Sequence, residues 1–384
     1  MKAAASKEDG DKKRRAAHVS AYAWMMQEME KMMRWEDNVR KVVPYTPGEQ
    51  PGDRDIIKLN TNENPYPPAP GVMEALREIR PEDYSLYPDP DASLLRQSLA
   101  DYHGVSKEQV FVGVGSDDVL AIAFLTFFNG KEPILFPDIT YSFYDVWAEL
   151  YRIPYMTRPL REDFTIDPAD YKADCGGVIF PNPNAPTGVL ESLAVVEEIV
   201  SANPGVVVIV DEAYIDFGGI SALPLLSNYE NLLIVRTFSK SRSMAGMRIG
   251  YAVGNEKLIG YLNDVKFSFN SYTMNLPSLR CGAASIADEA YFQENLQKVI
   301  ATREWTKGEL SRLGFTFADS KSNFIFASHG KVPAKELFEA LKEAGIYVRY
   351  FGKPRIDNYL RISVGTDESM RRLISFLERY IENR

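Results

Sequence analysis

The 384-residue chain carries 44 Lys and Arg against 53 Asp and Glu, a formal charge of −9, with 45% hydrophobic and 25% charged residues. Such a balance belongs to an ordinary globular protein too long for one simple core, and its acidity excludes the basic footprint of a nucleic-acid binder. No apolar run reaches membrane-spanning length. Cys175 and Cys281 form no ligand or redox pattern, and with no export signal the expected compartment is the cytoplasm. His18, His103 and His329 lack metal or triad spacing, so no metal site is expected.

Residues 1–32 read as an N-terminal extension foreign to the fold, with a Lys12–Arg15 basic cluster too small for DNA binding. From Arg34 a Pro- and Gly-punctuated arm leads to a short strand near Ile56–Asn60 and the polar turn Thr61–Pro65. Helices are expected near Gly71–Ile79 and Ser93–Tyr102, separated by the proline-fixed loop Tyr87–Pro90. A strand at Val110–Val114 then runs through Gly115, Ser116, Asp117 and Asp118 into a long apolar helix. Glycine between strand and helix leaves free N–H groups at a positive helix end, where an anion can bind. The site is no dinucleotide fingerprint, because Asp118 stands where the third glycine belongs, and no Walker loop, because no Gly-Lys-Ser/Thr closes it.

Strands and helices keep alternating. Pro133–Phe136 and Val178–Phe180 read as strands, and Asp138–Tyr141 opens a helix through Leu150. Val206–Val210, entirely β-branched, reads as a strand buried on both faces of a parallel sheet and ends in Asp211. The next strand, Asn231–Val235, runs into RTFSKSRSMAGMRIGY at 236–251, which places Lys240 at a strand mouth beside Thr237, Ser239 and Arg248. Open parallel sheets bind ligands at the carboxyl ends of their strands, so Asp211 and Lys240 can converge on one site. A desolvated lysine amine suits Schiff-base chemistry, two hydroxyls and an arginine suit a phosphate, and a buried carboxylate keeps a pyridine nitrogen protonated. Together these residues point to pyridoxal 5'-phosphate. Beyond Lys257, a mostly helical segment over Leu276–Leu313 is expected to connect to a smaller α+β unit. That unit has strands at Asn323–Ala327, Tyr347–Phe351 and Tyr359–Val364 and helices at Ala334–Ala344 and Glu368–Glu382.

An ordered set of motifs carries a resemblance over about Val43 to the C-terminus: PYTPG at 44–48, LNTNENP at 59–65, YPDP at 87–90, GSDD at 115–118, NPNAPTG at 182–188, DEAYIDF at 211–217, the lysine segment, and YLRISVGT at 359–366. The chain resembles the fold-type I pyridoxal-phosphate aminotransferases and, within them, the histidinol-phosphate branch. The resemblance implies an α/β fold, a large domain with a mostly parallel seven-stranded sheet flanked by helices plus a smaller α+β domain. The expected division is an arm at 33–62 packing with the small domain, a large domain at 63–285 and a small one at 286–384.

By the same resemblance Lys240 holds the cofactor aldehyde and moves the proton, Asp211 pairs with the ring nitrogen, Tyr214 donates to the ring's phenolic oxygen and Tyr141 stacks on the ring. The phosphate falls to Gly115, Ser116, Asp117, Thr237, Ser239 and Arg248, with Tyr87 from the neighbouring subunit of a homodimer. Arg361 and Arg349 are expected to hold substrate anions, aided by Tyr45 and Asn62. One position departs: the family's Asn before Pro-Thr-Gly is Ala185 here, leaving Asn182, Asn184 or water as its substitute.

The implied reaction exchanges an amino group between L-histidinol phosphate and 2-oxoglutarate. Rival readings are an aromatic or other amino-acid aminotransferase and a threonine-phosphate-type decarboxylase on the same fold. A transcription regulator would need a DNA-binding domain for which residues 1–32 are too short.

Overall fold

The computed structural model describes residues 24–26, 35–52 and 55–383. The expected N-terminal extension lies mostly outside them. The chain divides into two units between Val43 and Pro44. In the first, Trp35–Asn38 forms one exposed 3-10 turn near the start of the expected arm.

The second unit is built on a seven-stranded sheet. Its strands are β2 (Val110–Gly113), β3 (Ile134–Pro137), β4 (Tyr155–Arg158), β5 (Gly177–Pro181), β6 (Val208–Asp211), β7 (Leu232–Thr237) and β8 (Gly250–Gly254), in the order β2-β8-β7-β6-β5-β3-β4. Only β8 runs antiparallel to its neighbours. The expected fold is therefore present, mostly parallel with one reversed strand. Side chains alternate along each strand, and both faces are apolar. Ile179, Ile209 and Leu233 pack on one face against the helices Ser116–Phe127 (α1), Tyr144–Tyr151 (α2) and Glu256–Phe269 (α3). Val178, Val210 and Ile234 pack on the other against Leu193–Ala202 (α4). Truncating Ile209, fully buried between layers, would cost about 2–5 kcal/mol through lost burial and the cavity left behind.

A four-stranded antiparallel sheet follows, in the order β12-β13-β10-β9: β9 is Phe315–Phe317, β10 Phe324–His329, β12 Arg349–Tyr350 and β13 Leu360–Ser363. Its core packs against Ala334–Glu343 and Asp367–Glu382. The expected strand Tyr347–Phe351 is two strands. Ile346–Tyr347 (β11) pairs in parallel with Ile57–Lys58 (β1), whereas Arg349–Tyr350 pairs with β13, so the chain changes partner at Val348. The expected helical run 276–313 also breaks. Leu276–Ala287 ends before Asp288, whose carboxylate accepts from the Tyr291 N–H at 3.3 Å and starts a second helix, Glu289–Arg312. Among the described residues no helix is long and apolar enough to cross a membrane.

Candidate active site

Adjacent parallel pairing of β6 and β7 brings Asp211 opposite Val235 and sets the turns after both strands side by side. Between them lies a cavity of about 170 Å³. Asp211, Tyr214, Thr237, Ser239, Lys240 and Arg248 line it, together with Ser116, Asp117 and Tyr141. All nine were singled out from sequence.

The floor of the cavity is the start of α1. Gly115 precedes that 12-residue helix at φ 84°, and no side chain caps its first N–H groups. Any Cβ on Gly115 would strike the Arg248 guanidinium at 2.4 Å, and one on Gly250 would come within 2.2 Å of the Ser116 nitrogen. Glycine at both positions thus lets the guanidinium and the helix end close around one spot. Arg248 reaches Asp117 Oδ2 at 3.3 Å and Ser239 Oγ at 3.4 Å, while the Thr237 hydroxyl accepts from the Ser239 N–H at 3.1 Å. An uncapped helix end, two hydroxyls and a guanidinium form a donor set suited to a phosphate.

Asp211 stands across the cavity, 4% exposed. Its Oδ1 accepts from the Ala213 N–H at 3.1 Å and its Oδ2 from the Tyr144 hydroxyl at 3.0 Å. Burial pushes its carboxyl up to about 6; Asp117 and Glu212 push the same way, and the two hydrogen bonds pull against them. Lys240 Nζ donates to the Thr61 carbonyl at 3.2 Å and lies 5.6 Å from the centre of the Tyr214 ring. Burial and the Asp117 carboxylate, which accepts from its hydroxyl at 2.8 Å, hold Tyr141 well above the usual phenol range. Beneath the lysine loop, Arg236 pairs with Glu212 at 3.0 Å and Asp216 at 3.4 Å, fastening the Asp211 turn to β7.

The turn after β1 joins the two sheets. Asn62 Nδ2 donates to Tyr214 Oη at 3.0 Å, and its Oδ1 accepts from the Ser363 hydroxyl at 2.9 Å. With that Asn62 bond received, the Tyr214 proton is free to be donated elsewhere. Asn64 Nδ2 donates to the carbonyls of Lys240 and Ser241, both at 3.1 Å. Thr61 and Glu63 line the cavity, although of this turn the resemblance singled out Asn62 alone.

On the second sheet Arg349 and Arg361 face each other as Cα partners in β12 and β13. Arg361 donates to the Asn60 carbonyl at 3.0 Å and stacks near Phe324 and Phe351, yet its Nε is buried without a partner. Burial lowers its pKa, and Tyr214, Tyr45 and Tyr141 are close enough to counter this. Arg349 reaches the Thr46 carbonyl at 3.4 Å, and Tyr45 stacks on Phe143 with centroids 4.2 Å apart. Opposed like charges on a strand pair are unfavourable unless an anion joins them.

The asparagines near Ala185 and the tyrosine expected to serve a second copy have other partners within this chain. Asn182 exchanges both amide bonds with the Glu191 backbone, and Asn184 donates to the Ile139 carbonyl and Thr187 hydroxyl, so the N–H groups of both side chains have partners. Tyr87 is 81% exposed and stacks on Tyr272 at 4.5 Å, outside this chain's cavity.

Residues 54–377 match a family described as Aminotransferase class I and II. The chain is 51% identical over 352 residues to the histidinol-phosphate aminotransferase of Lactococcus lactis subsp. cremoris (strain SK11), covering 92% of this chain and 99% of that protein. It is 52% identical over 336 residues to the same-named protein of Clostridium botulinum (strain 657 / Type Ba4), covering 88% and 95%. Among solved structures, histidinol-phosphate aminotransferase from Sinorhizobium meliloti in complex with pyridoxal-5'-phosphate superposes with TM-score 0.77 at 25% identity, over 86% of this chain and 92% of that one.

Proposed function

This chain belongs to the class I and II aminotransferases, and we propose that it exchanges an amino group between L-histidinol phosphate and 2-oxoglutarate, in histidine biosynthesis, with pyridoxal 5'-phosphate as cofactor. The observation that carries the reading is the convergence of Lys240 and Asp211 from neighbouring parallel strands on one cavity whose floor is an uncapped helix end.

Pyridoxal phosphate, when bound, supplies an aldehyde that condenses with amines and a protonated ring that takes up the electron pair left on a deprotonated carbon. The N–H groups of Ser116 and Asp117, with Thr237, Ser239 and Arg248, would hold its phosphate. Asp211 would face the ring nitrogen, Tyr141 the ring face, and Tyr214 would donate its free proton to the phenolic oxygen. Lys240 Nζ would hold the aldehyde. As a free amine it would serve as the base that takes and returns the proton of the substrate carbon, a task suited to a group tethered beside that position.

Arg361 and Arg349 would bind the two substrates in turn, since a paired guanidinium site serves a carboxylate and a phosphate alike. Tyr45 would stand beside the donor's phosphate, and Asn62 would keep Tyr214 oriented. Homodimer formation follows if Tyr87, exposed here, completes the phosphate site of a second copy. The two free cysteines suit the cytoplasm.

Mixing the loaded enzyme with single amino donors tests the substrate. Histidinol phosphate is expected to bleach the cofactor's visible band in a single turnover, and 2-oxoglutarate to restore it. Bleaching by tyrosine or phenylalanine but not by histidinol phosphate would reassign the donor, and release of CO₂ with the amine retained would select a decarboxylase.

A further inference from the structure

Tyr144 had no place in the sequence reading, and the amino-group exchange does not call on it directly. It sits on the first turn of α2, fully buried against the face of the sheet, and its hydroxyl meets the carboxylate that faces the cavity. Resting on the reading above, we infer that Tyr144 is the positioning residue for Asp211: its O–H, fixed from behind, holds the carboxylate ionised and aimed at the cofactor's ring nitrogen.

The geometry makes the bond one-directional. The ring of Tyr144 meets Phe136 edge-on with centroids 5.9 Å apart and Tyr141 at 5.8 Å, which leaves its hydroxyl little freedom to swing away. Burial and the adjacent Asp211 both hold the phenol well above its usual range, so Tyr144 keeps its proton and donates it. Each carboxylate oxygen accepts about two hydrogen bonds. Tyr144 and the Ala213 N–H therefore occupy one position on each oxygen, and the remaining positions are left for the cavity.

The charges around the acid explain why such a donor is needed. Asp117 and Glu212 repel the anion, burial disfavours it, and its flanking strands are apolar. Lys240 and Arg248 share the cavity, but the lysine amine is turned to the Thr61 carbonyl and the guanidinium to Asp117 and Ser239. Tyr141 is committed to Asp117 and Tyr214 receives Asn62. Among these groups Tyr144 alone donates a side-chain hydrogen bond to Asp211.

Tyr144→Phe keeps the ring and removes the donor. Binding of pyridoxal phosphate to the cofactor-free protein, followed by fluorescence quenching between pH 8 and pH 6, reads the effect without catalysis. Loss of a hydrogen bond to a charged group raises the acid's pKa by about one to two units, so the variant's deficit relative to the unaltered protein should grow about tenfold as the pH falls. In an Asp211→Asn background the same substitution should add no pH-dependent deficit, because the group it acts through is gone. A deficit that is constant with pH, or equally large in the Asp211→Asn background, would overturn the inference in favour of simple packing. Should the unaltered protein fail to bind pyridoxal phosphate at all, the functional reading falls with it, an outcome distinct from binding with a flat profile.

Discussion

The turns after β6 and β7 and the face of the β12–β13 pair, the two proposed halves of the site, hold their charges under opposite conditions. In the first, each charge is already answered within the chain: Asp211 by Tyr144 and an amide, Lys240 by a carbonyl, and Arg236 by Glu212 and Asp216. In the second, two guanidinium groups oppose each other and one keeps a buried N–H unpaired. A satisfied cluster can hold its geometry before anything binds, as transition-state stabilisation requires. An unsatisfied pair is completed by an incoming anion. The contrast fits the proposed division, reaction at one sheet and recognition at the other.

The largest effect should come from the satisfied half. Lys240→Ala is expected to lower the rate of amino-group exchange by at least about 10³-fold, since it removes both the covalent anchor and the base; a loss under tenfold in single-turnover measurements would mean another group moves the proton. Arg361→Ala should lower kcat/KM by about 10- to 150-fold for donor and 2-oxoglutarate alike, the loss of a charged hydrogen bond of about 1.5–3 kcal/mol. The same substitution should leave the melting temperature of the free protein unchanged or higher, because it relieves a buried, partly unpaired cation. A fall of many degrees would show Arg361 to be a structural strut and erase the distinction between the halves. Arg349→Ala should raise KM for the phosphate-bearing donor about tenfold and affect 2-oxoglutarate less, because the site is rebuilt around a single arginine.

A smaller effect tests whether acid sensitivity at the edge of the catalytic sheet is independent of both halves. Burial lowers the pKa of His103, bonded to Tyr251 Oη at 2.9 Å, from 6.5 to about 3, so the folded state favours its neutral form. Stability from this group is complete above pH 6.5 and lost as the pH falls below it, amounting to about 1–2 kcal/mol by pH 5. Denaturant unfolding at pH 7 and pH 5 should show a loss that His103→Gln reduces by that amount. An equal loss in both proteins would assign the acid sensitivity elsewhere.

What was legible in the sequence follows from range. Asp211, Lys240, Thr237 and Ser239 sit at strand ends, where a β-branched run followed by polar residues announces both the strand and its exposed mouth. The helix end at Ser116 was equally readable from glycine after a strand. Tyr144 was not, because an aromatic on an amphipathic helix looks like ordinary core until the strand behind it is known. Thr61 and Glu63 looked like a plain turn, since their place at the cavity and the Thr61 carbonyl's bond with Lys240 depend on residues far along the chain. The reversed β8 was hidden for a related reason: Gly-rich GYAVG at 250–254 carries little strand signal, and its pairing with β2 and β7 is what makes it one. Asp288 was read as part of a helical run because aspartate is tolerated there, whereas its capping bond divides that run in two.

Reductive trapping identifies the amine that holds the cofactor. The protein loaded with pyridoxal phosphate is reduced with borohydride, digested, and searched by mass spectrometry for the modified lysine. One phosphopyridoxyl group per chain is expected, on Lys240, if its amine forms the bond to the aldehyde. A label on any other lysine, or none on a protein that still binds the cofactor, would contradict it.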